Sequence, residues 1–485
     1  MINRFKSILV FTLLALCSCK DKKEVAVQPN IILFLVDDLG WKDVKSYGST
    51  LYQTPNVDAL AQEGVVFSNA YAAAAVCSPT RASILTGKYP ATIHCTDWIR
   101  GHHKPFAKYQ VPDWTMHLRD QDTTIVDVLK EKGYKTIHIG KWHLGEEEKY
   151  WPEAHGFDQN IGGWKVGMPK KIKGKGGYFV PYNNPRLEDG PQGEYLTERL
   201  AQEAANYIAN NEKEPFFLNF WLYNVHLPLK AKQAKIAKYE ALVDSTALQS
   251  NATYAAMVEH MDDALGVVVA QLKKSGLYEN TIIVFASDNG GITGNKGNQS
   301  LKPTITSNFP LRSGKGDMYE GGVRVPLIVN WPNKIAPNKT DVLSISPDIF
   351  PTLLGLINQH PSGKKINVDG EDLSDLLLKG KAPKRDAIFW HYPHYHTEGA
   401  KPYSAVRKGD WKLISVYEQD KLELYHLADD LSESVNLIDK YPEKGATLFQ
   451  LLENWKKEVA AQDPIVNPNY DPEKEQQFAW RKTKK

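Results

Sequence analysis

The sequence predicts an α/β fold in which a large, mostly parallel or mixed sheet is sandwiched by helices, followed by a smaller C-terminal subdomain with an antiparallel sheet and a helix. Three observations support this prediction. Continuous apolar runs alternate with amphipathic helical stretches, a pattern typical of parallel strands buried on both faces. Several of these runs end at charged or imidazole side chains. From about residue 387 the pattern changes to short strands at turn-like spacing.

The apolar runs define the strands of the large sheet. The first, Asn30–Val36, has the sequence NIILFLV and stops at two aspartates. Further apolar runs predict strands at Val65–Phe67, 133–143, 216–225, 281–286 and 325–330. Helical periodicity predicts helices at 54–61, 123–132, 196–208 and 254–274. In the C-terminal subdomain, strands are expected at 388–392, 404–408, 411–417 and 422–426, followed by a helix at 446–459.

Four of the predicted strands end at polar side chains. In an open α/β sheet, ligands bind outside the carboxyl ends of the strands, so these side chains are expected to converge. Turn chemistry explains one strand that ends in a charge, but it does not explain four that end in this set. The residues are Asp37 and Asp38, Lys141 and His143, His226, and Asp288 and Asn289.

Cys77 lies at the predicted start of a helix within the stretch 75–87. Ser78 and Pro79 suit a first helical turn, and Arg81 follows one turn along. The free backbone N–H groups of a helix start, together with an arginine fork, suit phosphate or sulfate. A thiolate nucleophile of the phosphatase kind is one interpretation, but those enzymes separate cysteine from arginine by a longer loop than the three residues found here. A small core cysteine before a helix is the other interpretation.

Length and composition restrict the class of protein. A chain of 485 residues with 42% hydrophobic residues allows two or three domains, or one large domain with an appendage. Lysine and arginine number 59 and aspartate and glutamate 57, so the formal net charge of +2 gives no global attraction to nucleic acid. Only Cys77 and Cys95 lie in the expected folded body, which argues against a disulfide framework and leaves Cys95 as a lone buried thiol.

The N-terminus has the pattern of an export signal. Arg4 and Lys6 precede an apolar run that is too short to span a bilayer. The run ends in Leu16-Cys17-Ser18-Cys19, which resembles a bacterial lipobox and predicts lipidation of Cys19; a plain signal peptide cut nearby is the alternative. We therefore expect an exported protein, in the periplasm or on the outer-membrane surface, held to the membrane only through a lipid anchor.

The predicted division of the chain follows from these patterns. It comprises a lipoprotein signal peptide at 1–19, a tether at 20–28, a catalytic α/β domain at 29–380, a C-terminal α+β subdomain at 386–462 and a poorly ordered tail at 463–485.

The acidic strand ends offer hard oxygen ligands for a metal ion. Asp37, Asp38, Asp288 and Asn289 come without a second thiolate or clustered imidazoles, which favours Ca²⁺ or Mg²⁺ over zinc. Three carboxylates and an amide suit Ca²⁺ better than Mg²⁺. Helix capping is the alternative for either pair taken alone.

The 75–87 stretch resembles, position by position, the signature of the type I sulfatases, the formylglycine-dependent family of the alkaline phosphatase superfamily. The 133–143 stretch resembles the second signature of that family. The other polar strand ends and Gly314-Lys315-Gly316 follow in the family's order, so the resemblance covers roughly residues 28–460. It extends to bacterial polysaccharide sulfatases and to arylsulfatase A-like enzymes.

This resemblance implies an unusual modification. Cys77 would be oxidised to formylglycine (3-oxoalanine) by a formylglycine-generating maturation enzyme. In its hydrated form the residue would present one hydroxyl to a bound Ca²⁺ ion. The implied ligands of that ion are Asp37, Asp38, Asp288 and Asn289, together with the modified Cys77.

The resemblance also implies roles for the cationic and imidazole side chains. Arg81, with the metal, would lower the pKa of the hydrated formylglycine. Lys141 and Lys315 would neutralise the sulfate oxygens as charge builds. His143 would take the proton of the second hydroxyl as sulfate is expelled, and His226, alone or with Lys315, would protonate the leaving alcohol.

Two loops are candidates for substrate contacts. Residues 95–103 and 391–396 are rich in aromatic and imidazole groups, which stack on sugar rings and form hydrogen bonds with them. Ordinary polar loops are the alternative interpretation. The candidate residues are Trp98, Arg100, His102 and His394.

The sequence thus predicts an enzyme that hydrolyses sulfate esters of a sulfated oligo- or polysaccharide, with galactose or N-acetylgalactosamine as the expected sugar. A phosphonate or phosphate-diester hydrolase of the same superfamily is the nearest alternative, because some of these share the formylglycine cysteine. A catalytically inactive, glycan-binding surface lipoprotein is an alternative of another class. It is disfavoured because every expected catalytic position carries a competent residue.

Overall fold

The computed structural model describes residues 28–295, 301–358 and 366–477. The expected signal peptide, the predicted lipidation site at Cys19 and the tether up to residue 27 lie outside the described residues. None of the helices within the described ranges is long and apolar enough to cross a membrane.

The strands form one large sheet, one four-stranded sheet and, within the described residues, three short pairs. They are β1 Asn30–Val36, β2 Val65–Phe67, β3 Ala70–Tyr71, β4 Tyr109–Gln110, β5 Lys135–Gly140, β6 Gln159–Ile161, β7 Lys171–Ile172, β8 Lys175–Gly176, β9 Phe216–Trp221, β10 Thr281–Ser287, β11 Leu327–Asn330, β12 Asn338–Thr340, β13 Ser344–Ile345, β14 Ala387–Tyr392, β15 Tyr403–Lys408, β16 Trp411–Val416, β17 Lys421–His426 and β18 Ile465–Val466.

The helices alternate with these strands. They are α1 Pro55–Gln62, α2 Cys77–Thr86, α3 Pro90–Ile93, α4 Ile125–Glu131, α5 Leu196–Asn210, α6 Gln233–Glu240, α7 Ala252–Lys274, α8 Glu320–Val323, α9 Ile349–Leu356, α10 Ser374–Lys379, α11 Pro442–Glu458 and α12 Pro472–Gln477. Single turns of 3-10 helix lie at Lys45–Tyr47, Glu148–Tyr150, Pro152–His155, Tyr278–Asn280, Ser346–Asp348 and Tyr417–Gln419.

The large sheet has the strand order β12-β2-β11-β10-β1-β9-β5-β6. Within it β11 runs antiparallel to its neighbours, and the other strands share one direction. Val36 pairs with Ser287, and Trp221 pairs with both Leu35 and Gly140. Strands β10, β1, β9 and β5 therefore end at the same edge, and the predicted mostly parallel α/β sheet is confirmed.

Helices cover both faces of this sheet. Phe34 of β1 belongs to an apolar core with α1, α5 and α7, and its ring lies 5.2 Å from that of Phe220. Leu33, next along β1, faces the other way into a core with α2, α4, α9 and α10. Both side chains are fully buried, each stabilising the fold by about 1.5–3 kcal/mol. This two-sided burial explains why the central strands are continuously apolar.

The C-terminal subdomain is an antiparallel sheet, β14-β15-β16-β17, with α11 packed on it. The ring of Trp455 stacks on Phe389 at 4.8 Å. Helix α11 begins at Pro442, four residues before the predicted start at 446. Proline suits a first helical turn, because the N–H that it lacks has no partner within the helix there. Arg385 lies between the two predicted domains, which end at 380 and begin at 386. It forms an ion pair of 2.6 Å with Asp348 of the large domain.

The tail differs from the prediction of poor order. Its described part, 463–477, contains β18 and α12, and Ile465 pairs with Gln110 of β4. Asn467 Nδ2 also donates to the carbonyls of Pro105 and Ala107, at 2.9 and 2.7 Å. These partners lie far away in sequence, so a polar composition alone gave no sign of the attachment.

Candidate active site

Two strand ends bring acidic side chains together. Asp37 and Asp38 follow β1, and Asp288 and Asn289 follow its parallel neighbour β10. The backbone N–H of Asp38 donates to Asp288 Oδ1 at 3.1 Å, and Asn289 Nδ2 donates to Asp38 Oδ1 at 2.8 Å. All four side chains are buried. The two pairs therefore meet, as the ends of parallel neighbours in a sheet must.

Cys77 joins this group from the start of α2. Val76 is extended, helical geometry begins at Cys77, and every residue of α2 is buried. The thiol Sγ lies 3.4 Å from Asp37 Oδ1 and 4.0 Å from Asp38 Oδ1. Potential ligand atoms of Asp37, Asp38, Cys77 and His226 all lie within 4.8 Å of one another. The helix start and the strand ends thus share one point.

Two lysines contact the same group. Lys141 Nζ, just after β5, lies 2.7 Å from Asp37 Oδ2. Lys315 Nζ lies 2.7 Å from Asp38 Oδ1 and 3.7 Å from Cys77 Sγ. The buried carboxylates are therefore paired with ammonium groups, which their removal from water requires.

Arg81 of α2 adds a third cation to this group. Its Nη2 and Nε lie 2.7 and 2.8 Å from Asp288 Oδ2, and Nη1 donates to the Lys141 carbonyl at 3.1 Å. The guanidinium also lies 5.1 Å from the centre of the Trp221 ring. We call the whole group the strand-end cluster: Asp37, Asp38, Cys77, Arg81, Lys141, Asp288, Asn289 and Lys315.

The backbone around the cluster adopts uncommon conformations. Asp38 has φ 62° and His143 has φ 61°, in the left-handed region that non-glycine residues rarely occupy. Gly290 packs closely against α8, since a Cβ there would lie 1.8 Å from the Gly321 carbonyl oxygen. Such strain is characteristic of functional sites.

Burial and neighbouring charges give the acidic groups of the cluster different pKa values. Burial raises the pKa of Asp37 to about 8. The Lys141 ammonium acts in the opposite direction, whereas the negative charges of Asp288 and Asp38 add to the rise. Burial acts in the same direction on Asp38, but Lys315, His226 and Lys141 together outweigh it and hold the pKa of that carboxyl below its ordinary range. Burial also raises the pKa of the Cys77 thiol, which disfavours a thiolate nucleophile.

His143 is oriented by the backbone of the 95–103 loop. Its Nε2 contacts the Ile99 carbonyl, so Nε2 carries the proton. Its Nδ1 is buried and has no hydrogen-bond partner in the part of the chain that the structure describes. Ser78 Oγ donates to the His143 carbonyl at 2.8 Å and accepts from the Ile99 N–H at 3.1 Å, which joins α2 to both segments. Nδ1 is thus the nitrogen with an available lone pair.

His226 approaches from the end of the β9 segment. Its Nε2 lies 3.6 Å from Asp38 Oδ2, and its Nδ1 lies 2.7 Å from the Leu227 carbonyl. The carbonyl fixes the proton on Nδ1, so Nε2 faces the cluster. Burial and the Lys315 charge lower the pKa of this imidazole to about 3.

The oxygen atoms of the cluster fit a hard divalent cation. The donors are the carboxylates of Asp37, Asp38 and Asp288 and the amide of Asn289. Asn289 Oδ1 is buried without a hydrogen-bond partner among the described residues. A buried oxygen without a donor, beside three carboxylates, suits metal coordination. Cys77 contributes the single thiol, which separates this set from zinc sites with several thiolates.

Comparison with known proteins identifies the family. The family model described as Sulfatase matches residues 29–359. A second model, described as N-sulphoglucosamine sulphohydrolase, C-terminal, matches residues 314–460. The chain belongs to the sulfatase family. The resemblance seen in the sequence is confirmed, and the protein is a sulfuric ester hydrolase by family.

Individual relatives align with nearly the whole length of this sulfatase. A sulfatase of Formosa agariphila is 32% identical, over 91% of this chain and 90% of the relative. An N-acetylgalactosamine-6-O-sulfatase of Bacteroides thetaiotaomicron is 27% identical, over 90% of this chain and 95% of its own. A crystal structure of Ps i-CgsB in complex with k-i-k-neocarrahexaose superposes with a TM-score of 0.72 and 28% identity, covering 94% and 95% of the two chains.

The 95–103 loop of this sulfatase lies beside the strand-end cluster. The Trp98 ring centre is 6.3 Å from that of His143, and Trp98 Nε1 donates to His102 Nδ1 at 3.2 Å. Arg100 is half exposed and paired with Glu146. Substrate contact by Trp98, Arg100 and His102 stays a prediction that this position supports.

His394 is placed differently from what the sequence suggested. It is buried, its Nε2 lies 2.8 Å from Thr96 Oγ1, and its ring packs against Trp114 at 5.5 Å. Its side chain therefore supports the loops from inside, and its predicted role as a substrate contact is not supported.

His396 is a residue that the sequence analysis did not single out. Gly316 has φ 76°, and a Cβ there would lie 1.9 Å from His396 Nδ1, so the imidazole packs directly against the residue after Lys315. The rings of His396 and His102 are 5.2 Å apart. No local pattern indicates this contact, because eighty positions separate His396 from Gly316.

Proposed function

We propose that this sulfatase removes sulfate from a sulfated carbohydrate, using a formylglycine at position 77 and a bound Ca²⁺ ion. The observation that carries the proposal is the position of Cys77 Sγ at the buried start of α2, 3.4 Å from Asp37 and 3.7 Å from Lys315. Hydrated formylglycine supplies two hydroxyl groups, one to attack sulfur and one whose deprotonation re-forms the aldehyde and expels sulfate. The Ca²⁺ ion supplies a fixed positive charge that acidifies a hydroxyl and polarises the sulfate ester.

The charges of the cluster support an anionic substrate. Its three acidic side chains face the three cations Arg81, Lys141 and Lys315, so the charges balance when every carboxyl is ionised. A divalent cation added to this balanced set leaves positive charge for a sulfate group. The ammonium of Lys315 lies 3.7 Å from Cys77 Sγ, and we assign it to a sulfate oxygen.

The imidazoles and Lys315 supply the proton transfers. His143 holds its proton on Nε2 against Ile99, so Nδ1 accepts the proton of the second hydroxyl. His226 and Lys315 flank Asp38. Because Nε2 of the neutral His226 imidazole carries no proton, we assign the proton delivered to the leaving alcohol to the Lys315 ammonium, with His226 assisting as the neighbouring imidazole. Arg81 holds the Asp288 carboxylate and the Lys141 carbonyl in place through hydrogen bonds, and its charge stabilises negative charge at residue 77.

Two observations support carbohydrate as the substrate. One is the group of aromatic and imidazole rings of Trp98, His102 and His396 beside the cluster. The other is the set of relatives, which includes an N-acetylgalactosamine-6-O-sulfatase and a protein crystallised with a neocarrahexaose. We propose galactose or N-acetylgalactosamine sulfate units of a longer glycan.

The test is hydrolysis by matured enzyme of paired sulfate, phosphate and phosphonate esters of the same alcohols, followed by defined sulfated sugars. We expect the sulfate esters to have the highest kcat/KM. Faster turnover of phosphonates or phosphodiesters would favour the alternative hydrolase. Peptide mass analysis accompanies the assay, and an unmodified Cys77 in protein from the native host, with no turnover, would favour the inactive glycan-binding lipoprotein.

We also propose that the protein is exported, matured by a formylglycine-generating enzyme and anchored through a lipid on Cys19. The lipobox-like sequence before Cys19 supports this. Metabolic labelling with a fatty acid analogue should mark the wild-type protein and not a Cys19→Ala variant. Equal labelling of the two would refute the anchor.

A further inference from the structure

A cavity of about 480 Å³ lies beside the strand-end cluster, under the C-terminal tail. Four segments form it: the loop after residue 103, the 395–401 loop, the single turn Tyr417–Gln419 and the tail, whose strand β18 pairs with β4. Its size is that of a small-molecule site. The wall residues that matter here are Lys104, Lys108, Tyr395, Lys401, Glu418 and Tyr470.

His396 is the wall that this cavity shares with the active site. The imidazole lines the cavity and packs against Gly316, next to Lys315. Its backbone N–H donates to the Ala400 carbonyl at 2.9 Å, which holds the 395–401 loop in a turn. A ligand in the cavity would therefore be separated from the residue that follows Lys315 by one imidazole ring.

The cavity combines an exposed aromatic ring with fixed polar groups. The Tyr470 side chain is 47% exposed, and Lys104 Nζ lies 4.4 Å from the centre of the Tyr395 ring. Lys104 pairs with Glu475 at 3.0 Å. Sugars are bound by aromatic faces together with side chains that donate and accept hydrogen bonds, and this wall offers both.

The charges favour an anionic sugar. Lys108 Nζ donates to the Glu418 carbonyl at 2.6 Å, and Lys401 pairs with the Glu418 carboxylate. With Lys104 and Glu475, the wall carries three ammonium groups and two carboxylates, a net charge of +1. A neutral sugar needs no such excess, whereas a uronate or a second sulfate is attracted by it.

We propose that this cavity is a second carbohydrate subsite, which holds the anionic sugar next to the unit being desulfated. The proposal rests on the proposed function and deepens it, because it makes the substrate an oligo- or polysaccharide with charge on successive units. The tail that closes the cavity is then part of the substrate-binding surface. On this proposal a lone sulfated monosaccharide bound at the strand-end cluster leaves the cavity empty.

The test compares two substrates in the full-length, matured enzyme. They are N-acetylgalactosamine 6-sulfate and a chondroitin 6-sulfate tetrasaccharide that ends in the same unit. For Tyr470→Ala, we expect the ratio of kcat/KM for the tetrasaccharide to that for the monosaccharide to fall about tenfold, the size of one lost aromatic contact. Tyr441→Ala, at an equally accessible tyrosine packed on Trp411, should leave the ratio unchanged. Lys401→Ala should lower the ratio as well, with Lys408→Ala as its matched control.

Direct binding separates this proposal from the proposed function. Titration of the tetrasaccharide into a Cys77→Ala protein measures affinity without turnover, and adding Tyr470→Ala should weaken it by a similar factor. No binding, unchanged binding or an unchanged kinetic ratio would overturn the subsite. Normal binding that depends on Tyr470, with no hydrolysis of any sulfate ester by the matured enzyme, would overturn the proposed function and leave the subsite standing.

Discussion

Two groups of buried charged side chains in the described part of the protein differ in their construction. In the first, which we call the subdomain cluster, Lys412 Nζ of β16 lies 3.0 Å from Glu320 Oε1 and 2.9 Å from Glu433 Oε1, with all three side chains fully buried. It joins α8 of the large domain to the C-terminal sheet. The strand-end cluster is equally buried and also pairs carboxylates with cations. Both contain a residue in the left-handed region, Asp38 in one and Glu433 in the other. The strand-end cluster differs in containing a thiol and an amide oxygen, that of Asn289, with no hydrogen-bond donor among the described residues.

This difference shows that buried charge alone does not mark an active site. The subdomain cluster places one ammonium between two carboxylates, an arrangement that fixes how two domains meet. The strand-end cluster brings Cys77 and the carboxylates of Asp37 and Asp38 to a common point at the carboxyl edge of the sheet. We expect the subdomain cluster to contribute to the stability of the fold and the strand-end cluster to contribute to catalysis. The following changes test this difference.

The largest expected effect is on Cys77. Cys77→Ala removes the residue that becomes formylglycine, so we expect kcat to fall by a factor on the order of 10⁴ or more, as for loss of other catalytic nucleophiles. Thermal unfolding should change little, because the substitution is small. Cys95→Ala is the matched control, since this thiol is also buried and lies outside the strand-end cluster. Equal activity of the two variants would remove the basis of the proposed mechanism.

Metal removal should have the next largest effect. Chelation should lower activity at least on the order of a hundredfold, because a bound cation stabilises transition-state charge by several kcal/mol. Added Ca²⁺ should restore activity better than Mg²⁺ and should raise the midpoint of thermal unfolding, which rises with concentration when a ligand binds the folded state only. Asp37→Asn should abolish that calcium-dependent rise. A chelated enzyme with full activity and an unshifted midpoint would exclude the metal.

The third change acts on the subdomain cluster. Lys412→Met leaves Glu320 and Glu433 buried without their shared ammonium, so we expect a loss of about 3–5 kcal/mol in the free energy of unfolding. Activity per folded molecule should be retained. Lys408→Met is the control, because Lys408 is exposed and paired at the surface with Asp386, where the effect should stay within about 0.5 kcal/mol. A Lys412 variant of normal stability and low activity would contradict the division between the clusters.

The sequence predicted those strands and helices that have a pattern of apolar and polar residues within a short stretch of chain. The apolar runs of β1, β9 and β10 and their polar ends located the strand-end cluster, since parallel neighbours necessarily end together. Helix α9, with the sequence IFPTLLGL, escaped prediction because a helix that is apolar all round has no amphipathic period. The β4–β18 pair escaped for another reason, because the pairing of short strands far apart in the chain depends on the tertiary structure.

Substrate contacts were the hardest to predict from sequence. His394 and His396 occur two positions apart in one loop, yet the first is bonded to Thr96 inside the protein and the second packs against Gly316 at the active site. Composition cannot separate two imidazoles in the same loop. Their burial and partners are set by which segments the fold brings to each side of the loop.

The last change concerns a buried carboxyl whose hydrogen-bond donors are neutral. Asp97 accepts from the Tyr392 hydroxyl at 2.7 Å and from the Trp98 N–H at 2.8 Å, and burial raises its pKa from 3.8 to about 7. Between these values the unfolded chain has lost the proton that the folded protein keeps, so rising pH destabilises the fold by up to about 1.4 kcal/mol per pH unit. Asp97→Asn keeps the acceptor oxygen and cannot titrate. The stability of the wild type relative to this variant should therefore fall as pH rises from 4 to 7, whereas exposed Asp113→Asn should track the wild type. Parallel stability curves for the Asp97 pair would mean that a cation lowers this pKa as Lys315 lowers that of Asp38.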